Sequence, residues 1–323
     1  MFHLKKIIFS TFIIAIIFAF QNDEMTEAQL GEKLFFDPIL SADSLMSCGS
    51  CHRAEFAFAD TSAFSMGFQG EKTDRNAPSV MNMTSRPYFF YDGRAATLEE
   101  QIFHPIRNRK EMNLSIQKAI KRLNNNVLYK KYFKKIYHHK PDSLSLGKAI
   151  ATYIRTLESA GDAPSDLYIQ KKDFKAMSAS QIRGRNLFMV KAKCFECHYT
   201  PDFTGDEFRN IGIYDGKKYT DTGRFAITKD SADLGKFKTP GLRNVALTAP
   251  YMHNGMFRTL EEVIEYYDNP YKFVVKPINI DTLLQKPLSL STEEKTDLVN
   301  YLKALTDKNL VSDVRKNSFF LIR

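Results

Sequence analysis

Two short motifs contain all four cysteines of this 323-residue chain. They read Cys48-Gly49-Ser50-Cys51-His52 and Cys194-Phe195-Glu196-Cys197-His198, so each has two thiols three residues apart and an imidazole directly after the second thiol. This spacing is the attachment signature of a c-type haem, in which two thioether bonds tether the porphyrin and the histidine supplies one axial nitrogen to the iron. The motifs therefore predict two covalently bound c-type haems.

Two other roles for the four cysteines, zinc binding and disulfide formation, account for fewer of the residues in the two motifs. A structural zinc site usually closes with its two CxxC pairs close together in sequence, whereas more than a hundred residues separate these pairs. Zinc binding would also leave both adjacent histidines as coincidences. A disulfide within CxxC is usually a redox device rather than a cross-link that stabilises a fold. Haem attachment accounts for every residue type in both motifs.

Length and composition predict a globular protein with two domains. The chain is 43% apolar and 26% charged, and it is long enough for two domains of about 150 residues each. We assign one haem motif to each domain, with residues 23–165 as the N-terminal domain and residues 166–323 as the C-terminal domain. Residues 161–166 are the expected linker, because Gly, Asp, Pro and Ser cluster there.

Residues 1–22 are typical of an export signal. Lys5 and Lys6 precede a largely apolar run over residues 7–20, and a polar stretch follows it. Fourteen residues are too few to span a bilayer easily. No small-x-small cleavage site is evident at the end of the run, so an uncleaved anchor is the alternative. Both interpretations predict a periplasmic protein, since c-type haem is attached outside the cytoplasm.

The net charge of +9 is concentrated in two stretches, residues 118–140 and residues 171–193. Such runs are most often solvated helix faces, although a basic face can also steer an acidic electron-donor protein. Nucleic acid is not an expected partner, because the chain has no motif for binding it. The adjacent His138 and His139 are expected to be solvated, since neighbours on a helix do not face one site.

Similar helices are predicted in front of the two motifs. Residues 26–36 and 180–190 both have a helical apolar stripe, and Gly31-x-x-Leu34-Phe35 in the first corresponds to Gly184-x-x-Leu187-Phe188 in the second. Periodicity predicts further helices over residues 116–137, 146–157 and 291–305, and a long loop over residues 203–238.

A longer repeat relates the two halves of the chain. Residues 77–82 match residues 239–244, and residues 92–102 match residues 254–264, at one constant separation, which we call the repeat offset. Each copy contains Thr-Leu-Glu-Glu, in which the Thr is a predicted N-cap and the second Glu completes a capping box. An ungapped repeat of this length indicates internal duplication. The sequence thus predicts a mainly α fold with two cytochrome c-like haem domains related by internal duplication, with long loops.

The repeat also bears on the sixth coordination position of each iron. A filled position favours electron transfer, and an open one permits peroxide chemistry. If the helix that begins at Thr259 covers the second haem, its equivalent at Thr97 covers the first. Tyr267 then corresponds to Pro105 at the same repeat offset. A phenolate can ligate iron and a proline cannot, so the two haems are predicted to differ.

Several stretches together resemble a known family. They are LGEKLFFDPILS, CGSCH, RNAPSVMN, YDGRAATLEEQIFHPIRNRKEM, CFECH, FKTPGLRNVALTAPYMHNGMFRTLEEV and the Tyr266-Tyr267 pair. In this order they resemble the bacterial di-haem cytochrome c peroxidase family, and most closely its MauG-like branch, over nearly the whole chain after the N-terminal segment. The resemblance implies that His52 ligates a high-spin peroxidatic haem and His198 a low-spin electron-transfer haem.

The resemblance also implies the distal ligands. Peroxidases of the family usually have a Met where Tyr267 stands, and the MauG-like branch has a Tyr, so Tyr267 is the implied ligand of the second iron. The alternative is an ordinary core tyrosine there, with Met252 or Met256 reaching the iron. Many members carry a His after the first motif that caps the resting iron. Residues 53–77 contain no His, and Met66 is the only soft substitute, so the first iron is expected to be always open.

The family's distal pocket corresponds to Gln101, Pro105 and Glu111. Glu111 is the implied acid/base, because peroxide cleavage requires a proton to move between the two oxygens, and Gln101 is the implied orienting amide. Tyr91 stands where the family usually has a Trp between the haems, and Arg94 follows it as an implied haem-binding residue.

The resemblance further implies a calcium ion between the domains. In the family an Asn side chain, two main-chain carbonyls and waters bind it. The matching positions are Asn76, Thr248 and Pro250, an oxygen set suited to this hard cation.

Three functions follow in order of preference. The first is reduction of hydrogen peroxide to water with electrons from a small cytochrome or cupredoxin. The second is MauG-like oxidation of residues on a partner protein. The third is a non-catalytic di-haem electron carrier, which would need a strong ligand on both distal faces. We also consider a homodimer, and membrane contact if the N-terminal segment is uncleaved.

Overall fold

The structure is a computed structural model that describes residues 25–310. In that range the chain is mainly helical, as predicted, with one two-stranded antiparallel sheet. The helices are α1 (Glu27–Phe36), α2 (Leu98–Arg107), α3 (Ile116–Asn125), α4 (Val127–Tyr137), α5 (Ser143–Thr156), α6 (Pro164–Gln170), α7 (Ala179–Met189), α8 (Phe225–Thr228), α9 (Leu260–Asp268) and α10 (Thr292–Lys303). The strands are β1 (Phe208–Arg209) and β2 (Phe237–Lys238).

None of the helices within residues 25–310 is long and apolar enough to cross a membrane. The predicted signal or anchor over residues 1–22 lies outside the described residues.

Capping residues begin the helix in front of the first motif. The Thr26 side chain accepts a hydrogen bond from the Gln29 amide at 3.2 Å, and Gln29 Oε1 accepts one from the Thr26 amide at 2.7 Å. This capping box satisfies two N–H groups that a helix start leaves unpaired. Pro38 follows the C-cap Asp37. The helix predicted over residues 26–36 is confirmed.

The helical periodicity predicted over residues 116–137 is confirmed, but the chain forms two helices there rather than one. Asn126 separates α3 from α4, and its Oδ1 accepts hydrogen bonds from the Leu128 and Tyr129 amides at 3.0 and 3.1 Å. An Asn side chain competes with the helical backbone for such amides, so it ends one helix and caps the next.

Each haem motif follows a helix that crosses a later helix through a glycine. A Cβ on Gly31 of α1 would lie 1.9 Å from the carbonyl oxygen of Ala149 in α5. A Cβ on Gly184 of α7 would lie 1.9 Å from the carbonyl oxygen of Asp297 in α10. Only glycine permits backbones to approach this closely. The two motifs are therefore positioned by the same kind of helix crossing.

Buried apolar side chains form one cluster in each half. The first joins α1, α2 and α5, and the second joins α7, α9 and α10. The predicted boundary between residues 165 and 166 lies inside α6, where the Ser165 amide donates to the Ala304 carbonyl at 3.0 Å. The division into domains at this point stays a prediction.

Residues related by the repeat offset share unusual backbone geometry. The N-caps Thr97 and Thr259 both have φ −130° and ψ 156°. Isolated bridges join Phe89 to Ala95 and, in the same way, Tyr251 to Phe257. Positive φ angles recur in the pairs Asn82 and Asn244, Phe90 and Met252, and Gly93 and Gly255.

The two capping boxes predicted at these N-caps differ in outcome. The second is complete, since Glu262 accepts from the Thr259 amide at 3.0 Å. In the first copy Glu100 accepts from the Ala96 amide at 2.9 Å instead of the Thr97 amide, so this box is only half formed. Glu262 also accepts from the Arg258 amide at 2.6 Å, the counterpart of the Ala96 bond, so the two copies differ only in the bond to the N-cap amide.

The two halves meet through reciprocal hydrogen bonds. The Asn76 amide donates to the His253 carbonyl at 2.8 Å, and the Lys238 amide donates to the Tyr91 carbonyl at 2.7 Å. Asn76 and Lys238 are related by the repeat offset, as are Tyr91 and His253. The same bond is thus made in both directions, as across a two-fold axis. The rings of Tyr91 and His253 meet here, with centroids 6.4 Å apart.

Candidate haem cavity

Both CxxCH motifs line one cavity of about 1230 Å³. This volume exceeds the range of about 300–1,000 Å³ that is usual for one drug-sized ligand. The motif residues that reach its wall are Cys48, Cys51, His52, Cys194, Cys197 and His198. The cavity therefore has room for groups larger than an ordinary substrate, next to both sets of attachment residues.

The motif histidines are held so that one ring nitrogen points to main-chain carbonyls. His52 Nδ1 lies 3.1 Å from the carbonyl oxygens of both Phe58 and Pro78, and His198 Nδ1 lies 2.9 Å from that of Phe203. A carbonyl only accepts, so Nδ1 carries the proton and Nε2 keeps its lone pair for a metal. Burial lowers the pKa of both imidazoles, which favours this neutral form.

The four motif cysteines form no disulfide. Burial raises the pKa of Cys48 and of Cys194 to about 12, and that of Cys51 to about 11. Across residues 25–310 no three His, Cys, Asp or Glu side chains gather as a metal site.

The three residues of the predicted distal pocket lie together on the wall of the cavity. Gln101 and Pro105 share one face of α2 with Asn108, which follows the helix. Asn108 Nδ2 donates to Glu111 Oε1 at 2.6 Å. Burial raises the pKa of Glu111, and the Asn108 bond opposes this only in part. The Glu111 charge in turn raises the pKa of Cys48 and Cys51, so it lies near the first motif.

Tyr91 and Arg94 also line the cavity. The Tyr91 hydroxyl is 3.5 Å from Asn76 Oδ1, and burial raises its pKa. The Arg94 guanidinium lies 3.5 Å above the Phe90 ring centroid and pairs with Asp92 at 2.9 Å. Both side chains are therefore held at the cavity wall, and their roles at the haems stay predictions.

The two adjacent tyrosines of α9 have different surroundings. Tyr267 lines the cavity, and its pKa is raised by burial and by Cys197 and Cys194, so it lies on the side of the second motif. Tyr266 is buried outside the cavity wall, and its hydroxyl donates to the Ile211 carbonyl at 2.7 Å. The structure thus separates a cavity tyrosine from a structural one.

Met252 and Met256, the alternative ligands of the second iron, differ in their position relative to the cavity. Met252 lines the cavity, whereas Met256 does not. Met66 is 56% exposed and lies off the cavity wall, so it is not placed to cap the first iron. Met46 and Met112, which the sequence did not single out, do line the cavity. The open first iron therefore stays a prediction.

The three predicted calcium ligands, Asn76, Thr248 and Pro250, all line the cavity. Asn76 is buried, and its Nδ2 donates to the Ser62 carbonyl at 3.0 Å, which leaves Oδ1 with only the long Tyr91 contact. Among the described residues, the Thr248 and Pro250 carbonyl oxygens accept no protein hydrogen bond. Three free oxygens at one wall fit a hard cation.

Two cavity histidines were missed by sequence reasoning. His253 is buried and stacks on Phe237 with centroids 3.7 Å apart, and burial lowers its pKa to about 4. The sequence offered one signal for His253, because it corresponds to Tyr91 at the repeat offset. His104 shares the α2 face with Gln101 and lines the same cavity. Helical spacing from Gln101 was the available signal for His104.

Two haem-attachment motifs on one cavity of a mainly helical chain define a di-haem protein of the cytochrome c type. A family model described as "Di-haem cytochrome c peroxidase" matches residues 25–174. The chain is 36% identical over 278 residues to methylamine utilization protein MauG of Methylorubrum extorquens, and the match covers 85% of this chain and 77% of that one. The chain belongs to the di-haem cytochrome c peroxidase family, and it is an oxidoreductase.

Two further similarities agree with this membership. The chain is 37% identical to cytochrome c551 peroxidase of Pseudomonas aeruginosa over 251 residues, which cover 75% of this chain and 72% of that one. A solved structure of a MauG-like protein associated with microbial copper homeostasis superposes with a TM-score of 0.80 at 31% identity, covering 88% and 90% of the two chains. The family implies two c-type haems for the two motifs.

Proposed function

We propose that the protein reduces hydrogen peroxide to water in the periplasm, with two electrons from a small cytochrome or cupredoxin and two protons. The observation that carries this proposal is Glu111, held by Asn108 on the cavity wall near the first motif. When bound, the two haems supply the iron chemistry and carry the electrons.

The work of the protein in this reaction is proton transfer at Glu111. Asn108 engages Oε1, so Oε2 is the oxygen available to take a proton from one peroxide oxygen and give it to the other. A raised pKa brings the carboxyl closer to the proton affinity that such a transfer needs. Gln101, on the same wall, orients the peroxide by hydrogen bonding.

The two haem sites are proposed to have separate roles. His52 and the pocket of Gln101, Pro105 and Glu111 form the peroxide site, and His198 with Tyr267 forms the electron-transfer site. Support comes from the charge of Glu111 acting on the first motif and the coupling of Tyr267 to the second. Electrons would enter at the second haem and reach the first by way of Tyr91. This residue lies at the contact between the two halves, which we call the seam.

We further infer that the halves arose by internal duplication, with domains over residues 23–165 and 166–323, and that calcium binds at Asn76, Thr248 and Pro250. The reciprocal hydrogen bonds at the seam support the first inference. The free oxygens of the three residues support the second.

MauG-like oxidation of residues on a partner protein is the second candidate function. A tyrosine rather than a methionine at the cavity wall of α9 favours it, as does the similarity to the MauG proteins. In this case the same Glu111 would serve the reaction with peroxide, and the electrons would come from the partner.

Steady-state peroxide turnover with a reduced cytochrome c, measured beside the spectrum of the resting protein, separates the candidates. Rapid turnover supports the peroxidase. A fast reaction with peroxide but negligible cytochrome oxidation selects the protein-oxidising enzyme. A fully low-spin oxidised spectrum would contradict the open first haem, and with no peroxide reaction it would select the electron carrier.

A further inference from the structure

One stretch of the chain is entirely without acidic residues. Between Glu111 and Asp142 there is no Asp or Glu, while the whole chain has a net charge of +9. The basic residues of this stretch are Lys118, Lys121, Arg122, Lys130, Lys131, Lys134, Lys135 and Lys140. Seven of these eight charges lie on α3 and α4, so these two helices carry a large share of the net positive charge.

The lysines of α4 face away from the core. The helix buries Tyr129 and Phe133, and Lys130, Lys131 and Lys134 are exposed on its other side. Exposed apolar side chains lie at both ends of this lysine face. They are Val127 (77% exposed) and Leu128 (54%) at the start of α4, and Leu144 (78%) at the start of α5. A basic surface flanked by exposed aliphatic residues combines the two properties that hold a protein on a lipid interface.

The N-terminal segment enters the fold beside this face. Glu27 at the start of α1 accepts a hydrogen bond from Thr152 at 2.6 Å and pairs with Lys148 at 3.5 Å. The Lys148 ammonium lies 5.7 Å from the ring centroid of Tyr137, the last residue of α4. The start of α1 therefore adjoins the C-terminal end of the lysine face.

Chain length keeps the apolar N-terminal run close to this face. Glu27 follows Phe20 by only seven positions, and this length of chain spans at most about 25 Å when fully extended. A short apolar segment holds a protein on a membrane only marginally, and a polybasic patch beside it is the usual second signal.

We propose that the exposed face of α4, with Leu128 and Leu144 at its ends, docks the protein on an anionic phospholipid membrane. Anionic headgroups complement the lysines, and the aliphatic side chains enter the interface. Each lysine near an anionic surface strengthens binding by about fivefold.

An acidic electron donor fits this face less well. None of residues 113–149 lines the haem cavity. Electron transfer needs a short path to a haem, whereas membrane attachment does not. The face is thus suited to attachment and leaves the cavity walls free for a soluble donor.

The test is co-sedimentation of the full-length, haem-loaded protein with vesicles of phosphatidylcholine alone or mixed with phosphatidylglycerol, at low and high salt. We expect binding to the anionic vesicles that high salt weakens. The double variant Lys131→Glu/Lys134→Glu should bind at least about tenfold more weakly. The control Lys171→Glu/Lys175→Glu makes the same charge change at exposed sites elsewhere, and it should change binding less than about twofold.

A third variant tests the aliphatic contacts, because Leu144→Ser should leave less binding at high salt. Circular dichroism and the haem spectra should be unchanged in all variants, since every altered side chain is exposed. Equal binding to both kinds of vesicle, or equal weakening by both lysine pairs, would overturn the proposal. So would vesicle binding that survives Lys131→Glu/Lys134→Glu while oxidation of an acidic donor protein slows, because the face would then bind a protein.

Discussion

Pro105 on α2 and Tyr267 on α9 occupy the same position of two helices that begin with identical N-cap geometry. Both side chains line the haem cavity. The tyrosine offers an oxygen that can ligate iron, and the proline leaves a space beside Gln101 and Glu111. The helix that carries them starts in the same way in both halves, so we expect this one position to distinguish the two haems.

The seam between the halves shows a second difference of this kind. Asn76 and Lys238 make equivalent main-chain hydrogen bonds, but one presents an amide and the other an ammonium. The Lys238 ammonium lies 3.3 Å from Asp206, and burial lowers its pKa. An amide oxygen can bind a cation, whereas Lys238 is itself the cation. A calcium ion is therefore expected on only one side of the seam.

The largest effect should come from Glu111→Gln. Removing the proton acceptor should lower peroxide turnover by about 10²- to 10⁴-fold, and both haem spectra should stay the same because Glu111 attaches neither motif. Steady-state turnover and optical spectra measure this. Glu71→Gln changes an exposed carboxylate outside the cavity and should retain full activity. Turnover within a few-fold of wild type in Glu111→Gln would remove the assignment.

Next in size is the replacement of the two neighbouring tyrosines. Tyr267→Phe should convert the second haem from low spin to a five-coordinate or newly ligated form, visible by electron paramagnetic resonance. Tyr266→Phe should leave the spectrum unchanged and cost about 1 kcal/mol of stability, because it removes only the bond to the Ile211 carbonyl. An unaltered spectrum in Tyr267→Phe would favour Met252 as the ligand.

His253 should make the seam sensitive to acid. Its pKa falls from 6.5 to about 4 on folding, chiefly through burial, with Asp221 opposing and Arg75 adding to the shift. The folded state thus binds fewer protons, so stability is complete above pH 6.5 and declines as the pH falls towards 4. The shift corresponds to about 3 kcal/mol.

Thermal unfolding of His253→Gln at several pH values measures this contribution. The variant should lose stability less steeply than the wild type between pH 6.5 and 4. Tyr91→Phe, at the equivalent position of the other half, should keep the wild-type slope, since a tyrosine does not titrate in that range. Equal slopes in wild type and His253→Gln would show that protonation of this ring is not coupled to folding.

The smallest effect expected is that of calcium. A chelator should lower the unfolding temperature by several degrees, because a site at a hundredfold excess of ligand contributes about 2.7 kcal/mol. Asn76→Leu should abolish the response to calcium, whereas Lys238→Leu at the equivalent position should keep it. Calcium-dependent stability that persists in Asn76→Leu would locate the ion elsewhere.

Much of the fold was predictable from local signals. The cap at Thr26, the stop at Asp37-Pro38 and the periodicity of α5 and α10 act between residues a few positions apart, so the sequence displays them directly. The break at Asn126 was missed because the apolar spacing continues through it. There a side-chain oxygen outcompetes the helical hydrogen bond, which periodicity does not record.

By itself the sequence determined the two attachment motifs, the internal repeat with its constant offset and the residue types at the distal positions, since these depend on spacing along the chain. Only the tertiary structure decided that the Tyr266 hydroxyl is bonded to the Ile211 carbonyl, and that His253 is buried at the seam. Burial and pairing there arise between distant residues, as in the bond from Arg75 to Asp221, 146 positions apart. Residue spacing along the chain specifies which side chains can attach or ligate a haem. The burial and pairing that shift the pKa values of these side chains arise only when the two halves pack together.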